Sequence, residues 1–187
     1  LFLLIDKGIH PSAVVDIKGE GTLPDTTIME PLSVIYVGPR GKIDLGEMFI
    51  LYPNASIRID QGWFKCGREV SFSSGVHLYE PRDGIEIGDY VMIGGGTVLC
   101  SVNHGHADLA IPMRQQPAQP EKITIGNNVW IGMNCSILPG VTIGDGVIIG
   151  AGSVVTKDLP SNTICYGVPC EVRSRRGPGD EELMPTR

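Results

Sequence analysis

Large aliphatic residues recur at every sixth position in the C-terminal half of the chain. The series comprises Ile125, Ile131, Ile137, Ile143, Ile149 and Val155, and glycine follows directly at Gly126, Gly132, Gly144 and Gly150. An α-helix repeats about every 3.6 residues and a β-strand about every 2, so neither produces this spacing. The pattern predicts short straight segments that meet at corners and wind into a solenoid, with one large side chain per segment pointing inward.

A second restricted position lies four residues after each large aliphatic residue. Its occupants are mostly small or β-branched, namely Val129, Cys135, Val141, Val147, Ser153 and Leu159. We expect these side chains to lie at corners that fold toward the core, where little room is left. The glycine after the aliphatic residue is expected to let the backbone turn.

The same phase continues toward the N-terminus and predicts three segments per coil. Coils are expected to begin at residues 45, 66, 87, 125 and 143, and the shortest step between them is 18 residues. The longer steps leave extra residues at the third corner, which are predicted at 63–65, 84–86 and 105–124. A long insertion in an otherwise tight repeat is usually functional, so the loop 105–124 is the first place to look for chemistry.

This pattern predicts one all-β domain. Residues 45–160 form the solenoid with the extended loop 105–124, and residues 161–187 form a C-terminal segment. Residues 1–44 follow the repeat only weakly, and we expect an irregular N-terminal cap there because terminal repeats are often atypical.

Composition narrows the class of protein. The chain has 187 residues, 42% of them hydrophobic, which is too many for a disordered chain. The net charge of −6 argues against nucleic acid as a partner. The apolar stretch 1–5 is too short for a signal peptide or a membrane span, so we expect a cytoplasmic protein. Five cysteines without a CxxC spacing are expected to be reduced.

Histidine is the side chain that carries the chemical argument. The chain has four, and His104 and His106 stand where the repeat gives way to the long loop. An imidazole with an unperturbed pKa of about 6.5 accepts a proton near neutral pH. His104 closes its segment at an outward position, so we expect it to be a functional residue rather than an ordinary surface histidine.

Several segments of the repeat resemble a known family. Residues 123–132, 139–146, 149–158 and 166–170 are similar to the hexapeptide-repeat acyltransferases, in the branch of the maltose and galactoside acetyltransferases and the O-acetyltransferases of surface polysaccharides. The resemblance implies a left-handed parallel β-helix, assembled as a homotrimer with active sites between neighbouring subunits. It also implies that acetyl-coenzyme A (acetyl-CoA) is the donor, bound along such a cleft without a metal.

Roles carried over from the family fall on named positions of this chain. His104 matches the general base, and backbone N–H groups near Gly132 and Met133 match the donors to the thioester oxygen. The resemblance places the remaining donor-binding residues at Trp130, Ala151, Gly152, Thr156, Lys157 and Arg173, and the acceptor-binding residues at Asn103, His106 and Arg114. One departure is Glu171, where relatives usually carry arginine; Arg173, Arg175 or Arg176 is expected to supply the missing charge.

The sequence alone does not identify the acceptor of the acetyl group. A hydroxyl of a sugar, polysaccharide or nucleotide-sugar is the main expectation, and a sugar amine or an antibiotic is the alternative. Two other classes share the solenoid. A γ-type carbonic anhydrase would use His77, His104 and His106, drawn from adjoining subunits, as zinc ligands, although their spacing does not match that family. A scaffold would need no chemistry, and His104 with its loop argues against it.

Overall fold

The computed structural model describes residues 8–178. Within them the chain forms short strands and a single turn of 3-10 helix at Met113–Gln115, with no α-helix. In chain order the strands are β1 (Val14–Ile17), β2 (Ile28–Met29), β3 (Val34–Asp44), β4 (Ile50–Leu51), β5 (Ser56–Cys66), β6 (Ser71–Phe72), β7 (His77–Tyr79), β8 (Ile85–Ile87), β9 (Met92–Ile93), β10 (Val98–Cys100), β11 (Val102–Asn103), β12 (Gln119–Pro120), β13 (Ile123–Ile125), β14 (Trp130–Ile131), β15 (Ser136–Ile137), β16 (Thr142–Ile143), β17 (Ile148–Ile149), β18 (Val154–Val155), β19 (Thr163–Tyr166) and β20 (Glu171–Arg175).

The strands stack in parallel into a three-sided solenoid of about seven turns, which confirms the predicted fold class. The first side contains β8, β13 and β16, and the second side runs in the order β2-β4-β6-β9-β14-β17-β19. The third side contains β1, β7, β10, β15 and β18. The long strands β3 and β5 pass through the third corner and belong to both the third and the first side.

The predicted inward residues form the core. All six members of the sixfold series, Ile125 to Val155, are at most 2% exposed. The second restricted position is buried as well, from Val129 at 1% to Leu159 at 4%. In the lower coils, toward the N-terminus, three phenylalanine rings fill the interior at centroid distances of 5.4 to 6.4 Å, namely Phe49, Phe64 and Phe72. Burial of these side chains is the main stabilising term of the fold.

The glycines of the repeat serve a different purpose from the one predicted. A Cβ atom on Gly126 would lie 2.4 Å from a carboxylate oxygen of Asp145 in the next coil, and one on Gly132 would lie 2.6 Å from the amide nitrogen of Ala151. Glycine is therefore required by the close approach of successive coils. The backbone turns two residues later, where the left-handed conformation occurs at Asn128 with φ of 55°.

The first corner is held by hydrogen bonds from side chains to the backbone of neighbouring coils. The carboxylate of Asp145 accepts from the Asn127 amide nitrogen at 2.6 Å, and the side-chain oxygen of Asn127 accepts from the Asp89 amide nitrogen at 2.8 Å. Asp89 continues the ladder by accepting from the Arg68 amide nitrogen at 3.0 Å. Polar side chains thus satisfy corner donors that strand pairing leaves unpaired.

The short excursions lie earlier than predicted. Residues 63–65 belong to β5, which is continuous, and residues 85–86 belong to β8. The turn of the second excursion runs from Glu80, with φ of 50°, to Gly84, with φ of 102°. The extra residues are therefore absorbed before the first side begins, because the inward alternation of Ile57 and Ile59 continues through the corner.

The segment predicted as an irregular cap winds with the solenoid over its described part. β1 pairs with β3 and β2 pairs with β4, all in parallel. At the other end, β20 folds back antiparallel on β19 and closes the second side. The division of the chain at residues 44 and 160 stays a prediction, and residues 1–7 and 179–187 lie outside the described part.

All five cysteines are free thiols. Burial raises the pKa of the Cys66 thiol to about 12 and that of Cys170 to about 11. Between residues 8 and 178 there is no helix long and apolar enough to cross a membrane.

Candidate functional site

The long loop leaves the solenoid at the third corner and is closed by a small antiparallel ladder. In this ladder Val102 is opposite Pro120 and Asn103 is opposite Gln119. The loop proper therefore spans residues 104–118; it begins one residue earlier than the predicted loop 105–124 and ends six residues earlier. His104 is its first residue, so the imidazole stands directly on the rigid stem.

Two residues organise the loop from within. Gly105 is buried, and a Cβ atom there would lie 2.4 Å from the carbonyl oxygen of Pro117. The side-chain amide of Gln116 donates to the carbonyl oxygens of Asp108 and Ile111, both at 2.8 Å, and its oxygen accepts from the Asp108 amide nitrogen at 3.1 Å. These bonds fold the loop onto itself, independently of the solenoid surface.

His104 is exposed at the loop root, as predicted. Its ring makes no hydrogen bond within residues 8–178. His106 donates from Nδ1 to the carbonyl oxygen of His104 at 3.2 Å, which leaves its Nε2 as an acceptor. The other expected acceptor-binding residues, Asn103 and Arg114, are also exposed near this loop, at its stem and in its 3-10 turn.

The two backbone N–H groups expected to donate to the thioester oxygen differ in whether they already have an acceptor. The Gly132 amide nitrogen donates to the carbonyl oxygen of Ile149 at 2.7 Å, so this amide is already paired within the protomer. The Met133 amide has no acceptor within residues 8–178, and its side chain is 60% exposed. Thr97 explains this geometry, because its hydroxyl donates to the Gly132 carbonyl oxygen at 3.1 Å from inside the core. In a planar trans peptide the C=O and the N–H point in opposite directions, so the Met133 N–H points outward.

The donor-binding candidates lie along the second side and the corner that follows it. Trp130 is on the outer face of β14 and is 44% exposed. Ala151 and Gly152 are exposed at the next corner, and the Gly152 amide donates to the Met133 carbonyl oxygen at 2.8 Å. No atom lies within 4 Å of a Cβ built on Gly152, so the surface there is open to an elongated ligand.

The structure places the remaining candidates at another corner. Thr156 and Lys157 follow β18 and are exposed at the third corner, the same corner from which His104 leaves two coils below. Within one protomer, His104 is therefore separated from Trp130 and Met133 by the width of the third side. These two groups of candidate residues therefore do not come together within one protomer.

The basic residues near the C-terminus have different partners. Arg173 pairs with Glu171 at 3.3 Å and lies 5.2 Å from the ring of Tyr166. Arg176 donates to the carbonyl oxygens of Gly146 at 3.1 Å and Asn128 at 3.4 Å, so it caps a corner. Among residues 8–178, Lys157 and Arg175 form no ion pair.

The three histidines of the zinc alternative do not gather in one protomer. His77 is on the third side and bonds to Ser56 at 2.7 Å. Within the described residues no group of three His, Cys, Asp or Glu side chains is arranged to hold a metal ion.

Two residues that shape the candidate site were not predicted from the sequence. Thr97 occupies the second restricted position of its segment, where a hydroxyl replaces the usual aliphatic group, and that substitution was the available signal. Gln116 gave no signal, because its role depends on how the loop folds.

Comparison with known proteins gives consistent matches. The family described as "Bacterial transferase hexapeptide (six repeats)" matches residues 122–157. The galactoside O-acetyltransferase of Escherichia coli (strain K12) is 48% identical over 122 residues, which cover 60% of this chain and only 60% of that protein. The putative lipopolysaccharide biosynthesis O-acetyl transferase WbbJ of the same organism is 33% identical over 158 residues, covering 73% of this chain and 74% of that protein. A crystallised galactoside acetyltransferase in complex with coenzyme A has a TM-score of 0.57 at 29% identity and covers 91% of this chain and 68% of its own.

Proposed function

Because the chain belongs to the hexapeptide-repeat acetyltransferases, in the branch of the sugar O-acetyltransferases, we propose that it transfers an acetyl group from acetyl-CoA to a hydroxyl group of a sugar. The acceptor is a sugar, a polysaccharide or a nucleotide-sugar. The observation that carries the proposal is the position of His104, exposed on a rigid stem at the start of a folded loop.

His104 acts as the general base. Its imidazole takes the proton of the acceptor hydroxyl while that oxygen attacks the thioester carbonyl carbon. The new C–O bond replaces the C–S bond, and the His104 imidazolium returns its proton to the departing sulfur, so that coenzyme A leaves as the thiol. A sugar hydroxyl is almost wholly protonated at neutral pH, so a base within hydrogen-bond reach contributes about 10²–10⁴ in rate.

The Met133 N–H stabilises the charge that develops on the carbonyl oxygen. Its outward direction and its lack of another acceptor support this role. A preorganised amide costs no reorganisation during the reaction, and loss of such a donor typically costs about 10²–10³ in kcat.

The donor lies in a cleft between two subunits of a homotrimer. One subunit supplies His104, Thr156 and Lys157 from its third corner. Its neighbour supplies Trp130 and the open corner at Ala151 and Gly152. The separation of these two groups within one protomer supports shared sites. Lys157 and Arg175, which form no ion pair in the described chain, bind the phosphates, together with Arg173 once Glu171 is displaced.

The acceptor binds over the stem and the loop. Asn103, His106 and Arg114 present hydrogen-bonding groups there, and the free Nε2 of His106 accepts from a sugar hydroxyl.

The test is release of free thiol from acetyl-CoA in the presence of a panel of sugars, nucleotide-sugars, amino sugars and aminoglycosides. We expect turnover with a hydroxyl acceptor and a drop of about 10²–10⁴ in kcat for His104→Ala. His10→Ala, an exposed histidine of the first coil, is the matched control and should keep the full rate. Light scattering should show the same trimer mass for all three proteins. Full turnover by His104→Ala would exclude the base role, and turnover with amines alone would replace the hydroxyl acceptor.

A further inference from the structure

The outer surface of the third side carries a patch of aromatic and polar side chains below the coil of His104. We call it the tyrosine face; it consists of Tyr36, Ser56, Arg58, His77 and Tyr79. Strand register aligns its members, because Tyr36 is opposite Arg58 and Arg58 is opposite Tyr79, while Ser56 is opposite His77. Two columns of side chains therefore run along the solenoid axis.

These side chains project outward from a flat parallel sheet. The residues that flank Tyr36, Ser56, Arg58 and His77 in their strands are buried, such as Ile57 and Ile59 on either side of Arg58, and Tyr79 is 48% exposed. Side chains stand roughly perpendicular to a sheet, and neighbouring strands are about 4.8 Å apart. Tyr36 and Tyr79, two coils apart, are thus about 10 Å from each other.

Contacts within the face hold it in shape. The Arg58 guanidinium is 4.7 Å from the centroid of the Tyr36 ring, and it donates two hydrogen bonds to Asp60 at 3.2 and 3.3 Å. Ser56 and His77 share a hydrogen bond of 2.7 Å, which fixes the imidazole with its other nitrogen free. Groups held in place before binding lose little side-chain entropy when a ligand arrives.

The charges on and around the face cancel in pairs. Arg58 pairs with Asp60, Lys18 with Asp16, and Arg82 with Glu80, the last at 2.7 Å. The patch therefore offers planar rings and hydrogen-bonding groups without a net field to attract an anion. Rings with a negative face suit the C–H surface of a sugar, and paired Arg and Asp groups suit neighbouring hydroxyls.

We propose that the tyrosine face binds a neutral glycan chain of several sugar units, which runs down the third side from the acceptor position at His104. Tyr79 is opposite Cys100, four residues before His104, so the face continues directly into the loop stem. Tyr36 lies three coils below that strand, about 14 Å away, beyond the reach of a single sugar ring. The inference rests on the proposed function, to which it adds a polymeric acceptor.

The test measures binding without any donor, so that it is independent of catalysis. Neutral hexasaccharides of glucose, galactose or mannose, and the matching monosaccharides, are titrated into the full-length protein and followed by saturation-transfer NMR. We expect at least one hexasaccharide to bind more tightly than its monosaccharide. Tyr79→Ala should weaken that binding about threefold to tenfold, and Tyr79→Phe should preserve it.

Tyr90→Ala is the matched control. Tyr90 is 41% exposed and has its own arginine, Arg68, at 5.0 Å, yet it lies at a corner between the first and second sides. Binding of no hexasaccharide, or equal losses in Tyr79→Ala and Tyr90→Ala, would overturn the proposal. A change of oligomer mass in Tyr79→Ala would also overturn it, because the face would then be a subunit contact. Failure of acetyl transfer with hexasaccharide binding intact would count against the proposed function alone.

Discussion

The hydroxyl of Thr97 bridges the two ends of the turn that contains Met133. It donates to the carbonyl oxygen of Gly132 at 3.1 Å and accepts from the amide nitrogen of Cys135 at 3.2 Å. Both bonds are buried and join successive coils. They fix the Gly132–Met133 peptide plane, and thereby the direction of the one amide in the turn proposed to face the thioester oxygen.

Replacing Thr97 by valine should slow the chemical step. Valine keeps the shape but removes the hydroxyl, so the peptide plane is free to rotate. We expect kcat to fall about tenfold, with the KM for acetyl-CoA unchanged, because the amide acts on charge that develops only in the transition state. Thr97→Ser, which restores the hydroxyl, should recover most of the rate. Equal losses in both variants would point to packing as the cause.

Replacing Gln116 by alanine should impair activity while leaving the fold intact. The change removes three hydrogen bonds inside an exposed loop, so the unfolding temperature should move little. We expect kcat/KM for the acceptor to fall about tenfold, since a misplaced loop loses preorganised contacts. The neighbouring Gln115→Ala is the matched control and should behave like the unmodified protein. The role assigned to Gln116 fails if the two variants have the same kinetics.

Replacing Glu171 by glutamine should strengthen coenzyme A binding. The carboxylate pairs with Arg173 at 3.3 Å and would repel a phosphate group bound beside it. Both side chains are well exposed, so the expected gain is modest, about threefold in Kd by calorimetry. The gain should shrink with 3′-dephospho-coenzyme A if the 3′-phosphate is the group concerned. Weaker binding of coenzyme A would show that Glu171 is itself a useful contact.

The ion pair between Glu86 and Lys122 should make stability depend on pH. The hydrogen bond from Lys122, at 2.6 Å, is the main reason that the pKa of Glu86 lies below its usual value. A lowered carboxyl pKa contributes stability above the pKa of the unfolded chain, and this contribution disappears as the pH falls through the folded-state pKa. Both side chains are about 40% exposed, so the pair is worth only about 0.5 kcal/mol.

Urea unfolding of Glu86→Gln measures this effect. We expect the variant to be less stable than the unmodified protein at about pH 7 and equally stable once the pH lies below the folded-state pKa of Glu86, where the carboxyl group is protonated in both states. Glu121→Gln, at an exposed glutamate without an ion pair in the described chain, is the control. A difference that persists at low pH would contradict the electrostatic origin.

The sequence predicted the interior better than the corners. The inward positions on the sixfold repeat could be predicted because one rule recurs along residues 45–160, and residues such as Ile131 and Leu78 obey it. The placement of the short excursions was wrong, because the alternation of Ile57 and Ile59 indicated a strand running on through the corner. The glycines of the repeat reflect the distance between coils, which no single segment reveals.

The candidate site, too, could be predicted only in part. The position of His104 followed from the break in the repeat, since a loop root is a feature of the chain itself. The use of the Gly132 amide by Ile149 and the outward direction of the Met133 amide depend on bonds between coils. Pairings such as Arg173 with Glu171 depend on how β20 folds back, which no periodicity encodes.

The passage of β3 and β5 through the third corner has a consequence for where the molecule can diversify. A chain paired on both sides of a bend cannot open there without losing two ladders at once. The N-terminal coils are therefore braced at this corner, whereas the later coils turn there through a few unpaired residues and tolerate added length. Among the described residues, the long insertion 104–118 lies above these two strands, and added length there would alter the surroundings of His104.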